Sequence, residues 1–208
     1  MSQEPIKDKE HIFSPDGTGP PTSMKQNWEN DCRKDKSKGY EKAVAMMSNR
    51  YKLMSAFELA ENPHDNESPY FKPLLAETSA QYDRIDLISA DAAYLSRYNC
   101  NLVAEAGATP RLYPKQGVTL NMRGSSAWTD MLLCFINDPQ EWLRDYHTRS
   151  ISESVFSAFK RDFPLPLRRW IKLRRKQEAF TRACDYNLKR LCYLKHLEDI
   201  LAADVWNT

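Results

Sequence analysis

Disulfide and zinc chemistry are the first things this sequence lacks. Its five cysteines (Cys32, Cys100, Cys134, Cys184 and Cys192) are an odd number and form no C-x-x-C pair. Disulfide frameworks and zinc sites need closely spaced, usually even sets, so the thiols are expected to be reduced and several of them buried. No apolar run approaches the roughly 18 residues of a membrane-spanning helix, and no basic-then-apolar leader opens the chain, whose first ten residues are polar and charged. A cytoplasmic protein without a membrane partner is the expectation. The four histidines (His11, His64, His147 and His196) stand beside no serine or cysteine nucleophile motif, which disfavours a metal-free hydrolase. There is no internal repeat and no low-complexity tract.

What is present is one domain's worth of chain, 208 residues with an ordinary apolar fraction and plentiful aromatics. The net charge of +2 conceals an asymmetry. Lys160 to Lys195 holds twelve Lys or Arg against three acids, leaving that segment at +9 and the remainder at −7. A smaller basic cluster runs from Arg33 to Lys42. From charge alone, a solvated helix face and a nucleic-acid surface are equally good readings of such runs.

Along the chain, "HIFSPDGTGPP" reads as a short strand that delivers Asp16 into a Gly/Pro-rich turn, followed by a polar loop. "YEKAVAMM" and "YKLMSAFELAE" form an antiparallel pair across Ser48, Asn49 and Arg50. Ser68 and Pro69 start a helix over "YFKPLLAETSAQY". Ile85 to Ile88 is a short buried strand, after which Asp91 caps a helix from Ala92 that Gly107 stops. "TPRLYPK" is an edge strand, "AWTDMLLCFIND" a helix, and the chain beyond "PLPLRR" is helical in one piece or two. This order suits a mixed α/β sheet with helices on its faces.

One segment, "YHTRSISESVFSAFK", concentrates chemistry. Read as a single helix, it sets Tyr146, Arg149, Glu153 and Lys160 within a sector roughly 60° wide, and Ile151, Val155, Phe156, Phe159 and Phe163 on a separate apolar arc. Periodicity alone equally describes a surface helix with a weak Arg149/Glu153 pair. An acceptor flanked by cations and a phenol also suits a site where carboxylate, metal and phosphate meet. A hard divalent cation there needs further acids. Asp16 and Asp91, each just after a strand and followed by small residues, are the candidates, although one also reads as a plain turn residue and the other as a plain N-cap.

Together these segments resemble the DDE transposases of bacterial and archaeal insertion sequences, in the group whose signature is Tyr-(2)-Arg-(3)-Glu-(6)-Lys. Tyr146, Arg149, Glu153 and Lys160 match every position of it. "DGTG" at Asp16 and "ISADAAYLSR" around Asp91 look like the family's two aspartate motifs, and "NPHDNESPYFKPLL" and "GATPRLYPK" are similar to its intervening segments. The resemblance implies an RNase H-like mixed five-stranded sheet flanked by helices, with Asp16 on the first strand, Asp91 on the fourth and Glu153 on a helix beyond the fifth. It divides the chain into a polar lead (1–10), a catalytic domain (11–165) and a basic helical C-terminal extension (166–208). It implies two Mg2+ (or Mn2+) ions held by Asp16, Asp91 and Glu153, and cutting and joining of double-stranded DNA at transposon ends and target, by a homodimer on DNA at the nucleoid. Tyr146, Arg149, Lys160, Lys115, Arg168 and Arg169 become DNA contacts. Pro15 departs from an ordinary first strand, and relatives carry an N-terminal region ahead of the first aspartate, so the sequence also reads as a truncated copy. The rival readings are a non-catalytic DNA-binding remnant and another RNase H-like nuclease.

Overall fold

A computed structural model describes residues 4–22 and 39–205, with side chains over 6–22 and 39–197. The expected polar loop, the cluster from Arg33 to Lys38 and Cys32 lie outside the described residues. A short helix α1 (Glu4–Lys7) leads into β1 (Ile12–Thr18), β2 (Ala43–Ser48), β3 (Met54–Leu59), α2 (Ser68–Gln81), β4 (Leu87–Ala90), α3 (Arg97–Glu105) and β5 (Thr109–Leu112). Four helices follow: α4 (Ser126–Asn137), α5 (Pro139–His147), α6 (Ser150–Asp162) and α7 (Lys172–Val205). The five strands form one sheet in the order β3-β2-β1-β4-β5. β1, β2 and β3 pair antiparallel, while β1 with β4 and β4 with β5 pair parallel. This is the mixed five-stranded sheet flanked by helices that the family resemblance implies.

Strand alternation sorts the core into two layers. Val44 and Met46 join Phe13 and Ile88 under α2, α3 and α4. Ala43, Ala45 and Met47 face the other way, onto Val155, Phe156 and Phe159 of α6 and Ala179, Ala183 and Tyr186 of α7. The apolar arc of the quoted segment therefore packs on the sheet as expected. α7 adds polar clamps to the edge strand: Asn187 Oδ1 accepts from Met54 N at 2.9 Å and its Nδ2 donates to Met54 O at 2.8 Å. Those bonds occupy edge groups of β3 that would otherwise invite another strand.

Several local expectations are corrected. β1 does not end at Asp16 but continues through Gly17 and Thr18, because all three residues pair with β2. Pro15 is accommodated opposite Met46, while parallel pairing with β4 stops at Phe13. Pro15 brings no N–H to a ladder, and β1 and β4 are no longer paired by the time β1 reaches Asp16. β4 lies two residues later than predicted, ending directly at Asp91. The helix expected from Ala92 is a single 3-10 turn (Ala92–Tyr94), and α3 restarts at Arg97 because the Ser96 hydroxyl caps Asn99 N. Gly107, at φ +78, does end α3. α2 starts at Ser68 with Pro69 in its first turn, as expected, after Glu67 at the N-cap position, and the Ser68 hydroxyl accepts from Asn99 Nδ2 at 3.0 Å. Of the four described cysteines, all free, only Cys100 is buried.

The largest correction concerns Tyr146 to Lys160, which is two helices and not one. Tyr146 lies in the last turn of α5, Thr148 and Arg149 form the joint, and Glu153 and Lys160 belong to α6. The joint is tightened by i→i+3 bonds, from Arg149 N to Tyr146 O at 3.0 Å and from Ser152 N to Arg149 O at 2.9 Å. Hydroxyls take part as well: Thr148 Oγ1 donates to Asp145 O at 2.7 Å and Ser152 Oγ to Arg149 O at 2.8 Å. Side chains that bond nearby backbone in this way compete with a continuous helix.

Candidate nucleic-acid cleavage site

The parting of β1 and β4 sets where the acids stand. Asp16 lies in β1 near its exit, and Asp91 is the first residue after β4, its Oδ1 accepting from Ala93 N at 2.8 Å. Glu153 sits in the first turn of α6, where a carboxylate suits the helix dipole. Arg149 joins two of them: its guanidinium lies 3.9 Å from Asp91 Oδ2 and 3.6 Å from Glu153 Oε1. Asp16 meets the same helix one turn on, because the Ser152 hydroxyl, whose one proton is shared between Arg149 O and Asp16, lies 3.0 Å from Asp16 Oδ2. Residues from β1, β4 and α6 are thus gathered at one end of the sheet.

Burial differs sharply among them. Asp16 is held by burial above the usual carboxylate value, opposed by hydrogen bonds from Gly17 N and Ser152 and by the charge of Arg149, with Glu67 adding to the rise. A raised folded-state value favours the protonated form. The stability linked to Asp16 is therefore fully present below the unfolded carboxylate value and lost as pH rises through the folded one. Asp16→Asn is expected to raise the melting temperature at pH 7, with the gain vanishing below the ordinary carboxylate range; a melt series across that range checks it, and a gain that persists in acid contradicts it. Glu153 is open to solvent, its side chain 68% exposed, whereas Arg149 is 19% exposed and its buried Nε has no partner among the described residues.

A buried polar network fixes the joint that carries Arg149. Ser14 and Ser89, both fully buried, share a hydrogen bond of 2.7 Å. Ser89 also bonds Thr148 Oγ1 at 3.1 Å, and Asn49 Nδ2 donates to Ser14 Oγ at 3.0 Å and to Thr148 O at 3.1 Å. β1, β4 and the β2–β3 turn are thereby tied to the turn between α5 and α6. Ser89→Ala is expected to cost about 1–2 kcal/mol, since the buried Ser14 hydroxyl and the part-buried Thr148 hydroxyl each lose a partner. Urea unfolding checks this; an unchanged midpoint would remove the network from the account.

Tyr146 lies against Trp142 (5.1 Å between ring centroids, 18° between planes) and Tyr113 (5.0 Å), with Arg149 6.0 Å over its own ring. Burial pushes its phenol upward, so it remains a neutral donor. Lys115 is exposed three residues beyond β5, at the same end of the sheet. Lys160 is exposed two turns along α6 from Glu153. Arg168 and Arg169 are exposed, and both donate their backbone N–H to Glu178 Oε2 (3.0 and 3.2 Å). Their segment is tied to the exit of β1, because Leu167 N donates to Pro21 O at 2.8 Å.

Sequence reasoning missed three participants. Ser152 is hidden within the quoted segment, with its partner 136 residues away. Glu67, ion-paired to Lys42 at 3.1 Å, presses so closely on Gly17 that a Cβ there would lie 2.6 Å from Glu67 Cδ. Tyr94 is fully buried and its hydroxyl has no partner of good hydrogen-bond geometry among the described residues; it stands near Glu67, Asp16 and Asp91, and burial, with those charges and the approach of Glu67, raises its pKa. The glycine after Asp16 was the one available signal, since a close approach is a common reason for glycine at a strand's end.

The acids are hard oxygen donors of the type that Mg2+ or Mn2+ takes alongside water and phosphate. The orphaned Tyr94 hydroxyl beside them is a buried polar atom suited to an oxygen or water brought in with such an ion. Among the described residues no three His, Cys, Asp or Glu side chains are drawn close enough to hold an ion as they stand. Arg149 spans the gap instead. The donor chemistry fits divalent cations, and the carboxylates must draw together to share one.

The family description "Transposase DDE domain" matches residues 10–188. The chain belongs to the transposase DDE domain family. No curated protein matches this DDE domain. Among solved structures it is similar to a chain of the cryo-EM structure of the simian T-cell lymphotropic virus intasome in complex with PP2A regulatory subunit B56 gamma, at 12% identity and a TM-score of 0.34. That match covers 64% of this chain and 44% of the other, and a likeness so loose decides nothing about function. No helix among the described residues of the DDE domain is long and apolar enough to cross a membrane.

Proposed function

We propose that this DDE domain cuts DNA strands and joins them at insertion-sequence ends, within the Tyr-(2)-Arg-(3)-Glu-(6)-Lys group, with Asp16, Asp91 and Glu153 as its catalytic acids. The observation that carries this reading is Arg149, a largely buried cation reaching carboxylates from β4 and α6 at once, while Ser152 on the next turn holds Asp16. A stability role alone would not need two acids on a desolvated arginine, one of them largely exposed. Asp16, Asp91 and Glu153 would hold two Mg2+ or Mn2+ ions, which supply a water or DNA hydroxyl made nucleophilic at neutral pH and charge stabilisation at the leaving oxygen.

The protein's part is position and electrostatics. Arg149, freed from one carboxylate as the acids draw together, can place its guanidinium on a phosphate beside the cut. Ser152 keeps Asp16 oriented through its hydroxyl. Tyr146, braced by Trp142 and Tyr113, offers a neutral phenol to the same strand. Lys160 and Lys115 hold phosphates on either side, and Arg168 and Arg169 hold more distant backbone without reading sequence. A homodimer on DNA would treat both ends together.

The test is nicking of plasmid carrying the element's terminal repeats, by the full chain in Mn2+ or Mg2+. Cleavage that chelator abolishes is expected. Metal-independent cleavage, or DNA binding with no cleavage under any divalent ion, would sink the reading.

A further inference from the structure

A cation-lined groove lies on another flank of α6. A groove of about 570 Å³ runs between α6, α7 and the β2–β3 turn, lined by Lys52, Arg161, Lys189 and Arg190, with Ser154, Ser157 and Tyr193 among its other walls. One acid, Asp162, faces it and is paired to Lys189 at 2.9 Å. Among the described residues, neither Lys52 nor Arg161 has a carboxylate within ion-pair reach. Arg190 is committed as well, its Nε donating to Tyr51 O at 2.9 Å and its guanidinium lying 5.0 Å over the Tyr193 ring.

The backbone at Lys52 is unusual. Its φ is +59, a left-handed conformation in which a lysine carries a steric penalty that glycine or asparagine would largely avoid. Surrounding bonds hold it there: Tyr186 Oη donates to Lys52 O at 3.1 Å, Arg190 Nε to Tyr51 O, and Lys52 N to Ser48 O at 3.0 Å. Strain maintained by its surroundings commonly marks a site where the side chain has a task. Here α7 grips the turn by two carbonyls, and the strained residue is a cation with no acid to pair with.

We propose that this groove seats the phosphodiester backbone of DNA, with Lys52 and Arg161 as its phosphate contacts and the Ser154 and Ser157 hydroxyls as secondary donors. The inference rests on the DNA-cutting reading and extends it to a second stretch of backbone. Ser154 directly follows Glu153, so a strand leaving the acids over the first turn of α6 passes into this groove. Charge complementarity selects the occupant: cations and hydroxyls outnumber the single, already paired acid. Arg168 and Arg169 belong to another groove, with Arg174, Gln177 and Arg182, so the two surfaces can be tested separately.

The experiment is fluorescence anisotropy of a labelled duplex over a range of salt, with the full chain as wild type, Lys52→Gly, Arg161→Ala, the double variant, and Lys72→Ala as an exposed control. Lys52→Gly is expected to raise the melting temperature, by relieving the turn, and yet to weaken DNA binding. The double variant is expected to bind about tenfold more weakly at low salt, with the slope of log K against log salt reduced by about two. Lys72→Ala should change neither. If wild type binds DNA while the double variant keeps its affinity and slope, the groove proposal is overturned and the DNA-cutting reading stands. Wild type without DNA binding overturns both. A double variant that alters only sedimentation also overturns it, because the groove would then be a contact between copies.

Discussion

Asp91→Asn is expected to lower metal-dependent nicking by about three orders of magnitude, corresponding to about 4 kcal/mol of lost transition-state stabilisation. The substitution is clean for a structural reason. Asparagine is as good an N-cap as aspartate, so the bond from Ala93 N that shapes the turn after β4 survives. The lost charge is the one that faces Arg149. Unfolding midpoints and DNA affinity should therefore stay near those of wild type while cleavage collapses. Glu153→Gln should behave alike, because that side chain is mostly exposed and supports little of the fold. Nicking retained by either variant, with contaminating nucleases excluded, would remove that residue from the catalytic set.

Trp142→Ala is expected to be the most damaging single change to the fold, at about 3–5 kcal/mol. Trp142 is fully buried; its ring stacks on Tyr146 and meets Phe135 edge-on at 4.9 Å and Tyr113 at 6.1 Å. Among the described residues no other fully buried side chain is as large, and removing it leaves a cavity beneath the joint that presents Tyr146 and Arg149. Trp142→Phe should cost much less, since the indole Nε1 has no hydrogen-bond partner to lose. Urea unfolding of both variants reads the stability, and nicking by the phenylalanine variant reads whether the joint still holds its shape. Equal costs for the two would show that the aromatic stack contributes little.

The contrast between these residues reflects what a sequence carries. β2 and β3 were legible because their apolar runs flank a short polar turn, and the inner arc of α6 because Val155, Phe156 and Phe159 recur at helical spacing. The order of the three acids along the chain was legible from motifs, and the strand order then put them at one end of the sheet. The break at Thr148 and Arg149 was not. Every residue there has helical backbone preference or tolerance, and the hydroxyl bonds that end α5 are reinforced by Ser89 and Asn49, 59 and 99 residues distant. Glu67 was invisible for the same reason: its place against Gly17 depends on how α2 docks, which no local pattern encodes. Arg149 was assigned to phosphate on helical spacing and the family signature, and the structure adds that it lies between two carboxylates.

That bridge makes the central claim measurable. Calorimetric titration of Mn2+ into the chain on uncleavable end DNA, for wild type and for Asp16→Asn with Glu153→Gln, tests whether these acids form a metal site. Saturable uptake approaching about two ions by wild type, abolished in the double variant while DNA affinity persists, is the predicted result. Wild type that binds the same DNA with no metal uptake, or uptake identical in the double variant, would contradict it.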